Sequence, residues 1–155
     1  MKPIGVIHTP YTDVAGMPIQ GVFDRSVTAT ATVWPEYEEG LKDIQGFSHL
    51  ILIYYFNRSK TTVCVGTPFL ENKPHGIFAI RGPHRPNHIG FSVVQCENVS
   101  GRTLTFSEVD MLDGTPLLDI KPYVSAFDVY EVEKSGRTEN KTDSLHKRKS
   151  DKRFD

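Results

Sequence analysis

Cysteine is scarce in this chain of 155 residues: Cys64 and Cys96 are the two it has, and neither belongs to a C-x-x-C pair. That excludes a disulfide framework, and also a thiolate zinc cluster, which takes about four closely spaced Cys/His ligands. The histidines do not make up the deficit, because His8, His49, His75, His84, His88 and His146 are scattered. No metal site is expected. Long apolar runs are missing as well. The longest, residues 50–56, falls far short of the roughly 20 residues a membrane helix needs. The chain meets His8 too early for a signal-peptide core, so a cytoplasmic location and no membrane partner are expected. The Walker loop and a strand-coupled G-x-G-x-x-G are absent, which removes the usual phosphate cradles, and the G-x-S-x-G nucleophile elbow is missing too.

What is present describes an ordinary globular protein. Hydrophobic residues make up 38%, aromatics 10% and charged residues 24%. About 150 residues suffice for one domain with a real core. The formal net charge of -1 conceals an asymmetry, since residues 134–155 carry +4 and residues 1–133 carry -5. We therefore expect a folded domain over residues 1–133 and a basic, flexible tail over 134–155. A basic arm suits a polyanion, because Lys/Arg contacts to phosphates release counterions. A merely solvated terminus would have the same composition.

Short strand signals recur at residues 4–8, 27–33, 50–56, 76–80, 89–94 and 103–109, separated by Gly, Pro, Asn and Asp. Residues 27–33 alternate β-branched and small side chains, as a half-buried strand does, whereas 50–56 reads as a strand buried on both faces. One helix is expected at 34–41, where Pro35 stands near the first helical position and three glutamates favour the positive end. Residues 59–75 read as a long connection. The expected fold is mainly β: a small closed or nearly closed β-barrel with one or two short helices.

Two loops carry the chemistry. In residues 81–90, Pro83 and Pro86 fix φ and stiffen a run holding Arg81, His84, Arg85, Asn87 and His88. Guanidinium groups held in place suit carboxylates, phosphates or planar stacking. In residues 110–123, Asp113-Gly114 marks a turn, and Asp110, Asp113 and Asp119 interleave with Met111, Leu112, Leu117 and Leu118. Acceptors at the edge of an apolar pocket, facing guanidinium donors, suit a nucleoside-like ligand. Either loop also reads plainly as a shaped hairpin whose aspartates cap backbone N–H groups. Trp34, Tyr54, Tyr55 and Phe56 are read as core or interface contacts.

These loops, together with Ile4-Gly5-Val6-Ile7-His8-Thr9-Pro10-Tyr11 and Gly46-Phe47-Ser48-His49-Leu50, resemble the TsaA-like family, the TrmO tRNA methyltransferases. The further landmarks are residues 81–92 and Asp113-Gly114-Thr115-Pro116 followed by Asp119-Ile120-Lys121-Pro122-Tyr123. The resemblance implies a homodimeric barrel that binds S-adenosyl-L-methionine and N6-methylates threonylcarbamoyladenosine beside the tRNA anticodon. It places cofactor contacts on Pro18, Ile19, Gln20, Asn57, Arg58, Arg81, Phe91, Met111, Leu112, Asp113 and Gly114. Arg85 and Asn87 are the candidates for gripping substrate. The acceptor nitrogen is urea-like, so a general base should matter, and Asp113, Asp119 and His84 are the candidates. Two other readings share the same pocket: a module that binds the cofactor and transfers nothing, and a methyltransferase of this architecture with a non-tRNA acceptor.

Overall fold

The computed structural model describes residues 1–69, 71–139 and 149–151. The alternation in the sequence becomes a one-sided wall. In β2 (Thr28–Val33), Ala29, Ala31 and Val33 point inward and are buried, while the threonines between them face outward. The same period runs through β1 (Gly5–His8) and β3 (His49–Tyr55). After the two-residue strands β4 (Val65–Gly66) and β5 (His75–Gly76) come β6 (Ile89–Ser100), β7 (Thr103–Ser107) and β8 (Thr115–Pro122). Six of them close into an antiparallel barrel in the order β1-β2-β7-β6-β3-β8, with β8 returning to β1. The mainly β, closed-barrel expectation holds.

The barrel interior is filled by side chains, as expected for a small barrel. Ile7, Leu50, Leu52, Val94, Leu104, Phe106 and Leu117 are fully buried there. Closure also corrects the reading of residues 50–56. In β3, Leu50, Leu52 and Tyr54 are buried but Ile51 and Ile53 are only half-buried, because a closed wall has one inner face.

Three other expectations need correction. Residues 76–80 are not a strand of the barrel. Gly76 ends β5, and Ile77–Ala79 form a 3-10 turn. A short apolar run carries no period that separates the two. The helix at 34–41 exists as a 3-10 helix, Pro35–Leu41, capped without a side-chain hydrogen bond. The second loop contains a full strand, β8, whose Pro116 pairs with Val6 without interrupting the ladder.

The ladder shifts register at Ile53/Tyr54 between β3 and β8, and at Cys96/Asn98 between β6 and β7. Such irregularities re-aim side chains at barrel rims. The first one lies beside Tyr54, which pairs with Gly90 of β6. The phenol ring lies directly over that glycine: a Cβ there would stand 2.1 Å from Tyr54 Cε2. Gly90→Ala should therefore destabilise the protein by about 1–3 kcal/mol through overpacking. Gly40→Ala, with nothing within 4 Å of its Cβ, should change little. Urea unfolding of the two variants checks this, and equal stability would refute the close-packing argument.

Candidate functional site at one mouth of the barrel

The loops above Tyr54 enclose a cavity of about 1470 Å³. Of the residues singled out from the sequence, Pro18, Ile19, Gln20, Asn57, Arg58, Arg81, Arg85, Phe91, Met111 and Leu112 line it. The guanidinium-bearing loop and the aspartate-bearing loop thus converge on one space. Asp113, Gly114 and Asn87 are not among the lining residues, and neither are Asp119 and His84.

Each absence has a local reason. Asp113 turns back toward β1, where its Oδ1 accepts from the Thr9 N–H at 3.2 Å and meets His8 Nδ1 at 3.2 Å. Those bonds hold its carboxyl below the usual aspartate range. Gly114, at φ 77°, donates its N–H to the Ile7 carbonyl at 2.9 Å and so makes the turn that a side chain would strain. Asp119 pairs with Lys121 at 2.6 Å. His84 Nδ1 lies 2.7 Å from Ser59 Oγ, and burial, with His88 nearby, pushes its pKa down. Its imidazole is occupied with Ser59 and Thr61 and is not part of the cavity lining.

The arginines divide their work. Arg58 is a strut, donating from Nη1 to the Thr12 carbonyl at 2.7 Å and from Nη2 to the Asp113 carbonyl at 2.9 Å. It joins the two loops that flank the cavity. Arg81 donates from Nη1 to Gln20 Oε1 at 2.9 Å, and its guanidinium carbon lies 5.9 Å from the Phe91 ring centroid. Arg85 donates to the Ile80 carbonyl at 2.6 Å and lies 6.0 Å from the centroid of Phe78, a ring 80% exposed at the cavity edge.

Sequence reading does not place the floor, and names Asp110 only as one of three pocket acceptors. Tyr54, Gly90 and Asp110 also line the cavity. Ser92 Oγ donates to Asp110 Oδ1 at 2.6 Å, which leaves the Tyr54 hydroxyl, 3.0 Å away, to donate to Ser92. The other carboxylate oxygen accepts the Gly21 N–H at 3.1 Å. Gly21 is itself pressed onto the Glu108 carbonyl, 1.7 Å from where its Cβ would stand, and Arg25 reaches the buried Glu108 carboxylate at 2.7 Å. The loop carrying Pro18, Ile19 and Gln20 is thus pinned at two points. Burial pushes the Asp110 pKa up to about 6, against the lowering effect of the Ser92 and Gly21 hydrogen bonds and of Arg81. Nothing in the sequence separates Asp110 from Asp113 and Asp119. The distinction is how strongly the packed loops desolvate each carboxyl, and that is a tertiary fact.

The C-terminal segment also reaches this mouth. Ser150 exchanges backbone bonds with the 16–17 loop, Ser150 N–H to the Met17 carbonyl at 2.8 Å and Gly16 N–H to the Ser150 carbonyl at 3.0 Å. Arg137 Nε donates to the Ala79 carbonyl at 3.3 Å. Gly136, Arg137, Thr138 and Ser150 all line the cavity. The remainder of the expected basic tail, residues 140–148 and 152–155, lies outside the described residues. Among the described residues, no three His, Cys, Asp or Glu side chains are grouped to hold a metal ion, and no helix is long and apolar enough to cross a membrane.

A closed antiparallel barrel with a large cavity at one mouth is the architecture of a β-barrel domain that binds ligands outside its core. Residues 6–129 match the tRNA-methyltransferase O N-terminal domain, and the chain belongs to that family. It is similar to a probable S-adenosyl-L-methionine-binding protein of Pyrococcus abyssi, with 47% identity over 99% of this chain and 83% of the relative. It also resembles the human tRNA (adenine(37)-N6)-methyltransferase, with 31% identity over 82% of this chain and 30% of that one. Among solved structures, TrmO from Pseudomonas aeruginosa superposes with a TM-score of 0.74 at 33% identity, covering 87% of this chain and 60% of that one. The chain therefore spans less than two thirds of the solved TrmO chain.

The desolvated Asp110 carboxylate has a signature in the fold's pH dependence. With a folded pKa near 6 against an ordinary 3.8, Asp110 is more readily protonated in the folded protein than in the unfolded chain. Its charge therefore opposes folding, and stability should fall as pH rises through that interval. Asp110→Asn should flatten this slope. Thermal melts from about pH 4 to about pH 7 read the effect, and an unchanged slope would show that the carboxylate is not desolvated.

Proposed function

We propose that the protein is an S-adenosyl-L-methionine-dependent tRNA methyltransferase acting on N6 of threonylcarbamoyladenosine beside the anticodon. The observation that carries this reading is one cavity holding nine of the eleven expected cofactor residues and the substrate-side Arg85 together, in a chain of this family. Its volume of about 1470 Å³ exceeds the roughly 300–1,000 Å³ of a pocket for one small ligand, leaving room for a second reactant. The lining fits a nucleoside cofactor. Met111, Leu112 and Phe91 give an apolar wall for a base, while Gln20 and Arg81 give polar atoms at its rim. The cofactor supplies an already activated methyl group.

The protein's part is then to orient the acceptor nitrogen in line and to exclude water, which together supply much of the rate effect. Pro18, Ile19 and Gln20, pinned through Gly21, and Met111 with Leu112 form the cofactor side. Phe78, exposed and backed by Arg85, is a stacking platform for a base splayed out of the anticodon loop. The basic segment 134–155 supplies phosphate contacts on a body that is otherwise acidic. A tRNA substrate suits a cytoplasmic protein. The exposed strip of Phe127, Val129, Tyr130 and Val132 supports self-association as a homodimer.

Incubation with methyl-labelled cofactor and tRNA, followed by digestion to nucleosides, should place label on threonylcarbamoyladenosine and none on the same tRNA lacking the threonylcarbamoyl group. Label on a protein or small molecule instead would favour the non-tRNA reading, and binding without transfer would favour the cofactor-binding module. Phe78→Ala should raise the KM for tRNA about tenfold while leaving cofactor affinity in place. Equal loss of both would reject the stacking role. Neutralising the lysines and arginines of the C-terminal segment should make tRNA binding less salt-dependent. An unaltered salt slope would remove that segment from the interface.

A further inference from the structure

Asp110 occupies a junction. Its carboxylate bonds Gly21, which follows Pro18-Ile19-Gln20, and Ser92, which follows Phe91. It immediately precedes Met111 and Leu112, and it feels the charge of Arg81. Four of the segments assigned to the cofactor therefore meet at one carboxylate that itself lines the cavity.

The groups facing it leave its charge poorly balanced. From β3 comes the Tyr54 phenol, whose proton goes to Ser92, and burial pushes that phenol's pKa up. From β6 comes the Ser92 hydroxyl, and from the 18–23 loop a single backbone N–H. Tyr11, in the loop after β1, is likewise a neutral phenol: burial and the charges of Asp24 and Asp110 raise its pKa. Glu108, two residues earlier, is an anion whose partner is Arg25. Among the described residues, the cation acting on Asp110 is Arg81, which already serves Gln20 and lies over Phe91. A desolvated charge with partial compensation is costly to keep, and sites that keep one commonly spend it on a ligand.

We infer that Asp110 is the residue by which this cavity distinguishes a positively charged ligand from its neutral counterpart, favouring the sulfonium methyl donor over the thioether product. The inference rests on the cofactor reading above. In methyl transfer the S–CH3 bond breaks and its electron pair stays on sulfur, which becomes neutral. The acceptor nitrogen gains the methyl group and loses a proton to solvent. The positive charge at sulfur therefore disappears as the reaction completes, and with it the attraction of the carboxylate. Asp110 thus holds the donor and lets the product go.

The test is isothermal titration of the full chain with S-adenosylmethionine and with S-adenosylhomocysteine. These ligands share amine, carboxylate, ribose and adenine, so the difference between them isolates the sulfonium. The wild-type protein should prefer the sulfonium at about pH 8 and lose that preference as pH falls through the carboxylate's titration near pH 6. Asp110→Asn should weaken the sulfonium about tenfold, change the thioether by less than about threefold, and remove the pH dependence of the preference. Ser92→Ala removes a donor to the carboxylate, so it should move the midpoint of that pH dependence upward. It also keeps the proposal testable if Asp110→Asn does not fold. Parallel weakening of both ligands would make Asp110 a tether for the 18–23 loop and overturn the proposal, as would a preference independent of pH. A wild-type chain that binds neither ligand would instead reject the cofactor reading itself.

Discussion

Closure of the barrel is the constraint on which everything else in this molecule depends. β1 and β3 each pair on both sides, so the sheet has no open edge and its side chains sort into an inside and an outside. Six strands enclose an interior that their own side chains fill. A ligand therefore has no room in the barrel and must be held at its mouth. The sequence around the mouth is built accordingly, with stiff Pro-containing turns, a glycine in the left-handed region at 114, and arginines that brace backbone carbonyls.

That division shows in how the three guanidinium groups around the mouth are spent. Arg58 spends two N–H groups on carbonyls of separate loops, and Arg85 spends one on Ile80. Arg81 reaches a side-chain amide across the cavity rim. In the sequence all three are arginines in or beside loops, and nothing local tells them apart. What distinguishes them is the presence or absence of a carbonyl within reach, which depends on loops distant in the chain.

Much of the barrel was legible beforehand because the period of the strands is local. The alternation in 28–33 and the runs at 5–8 and 103–107 have inward and outward faces that composition alone displays. β6 was read too short because residues 95–100 lose the apolar alternation where the strand leaves the core. β8 carries a loop's composition, with two prolines and an aspartate inside it, yet Pro116 keeps its place in the ladder opposite Val6. For the site, nine residues named from the family resemblance and Arg85, named from its chemistry, line one cavity. Sequence could not rank three aspartates in a single loop, since the desolvation of Asp110 and the hydrogen-bonded turn of Asp113 arise from the 18–23 and 8–9 segments packed against them.

Tyr54 belongs to two structures at once. It is packed in the barrel core, over the backbone of Gly90, and its hydroxyl begins the chain of hydrogen bonds that ends at the cavity carboxylate. The binding site therefore has no floor of its own; it borrows one from the folded interior. Adaptation to a different guest is confined to the surrounding loops, because any reshaping from below would have to repack the molecule's centre.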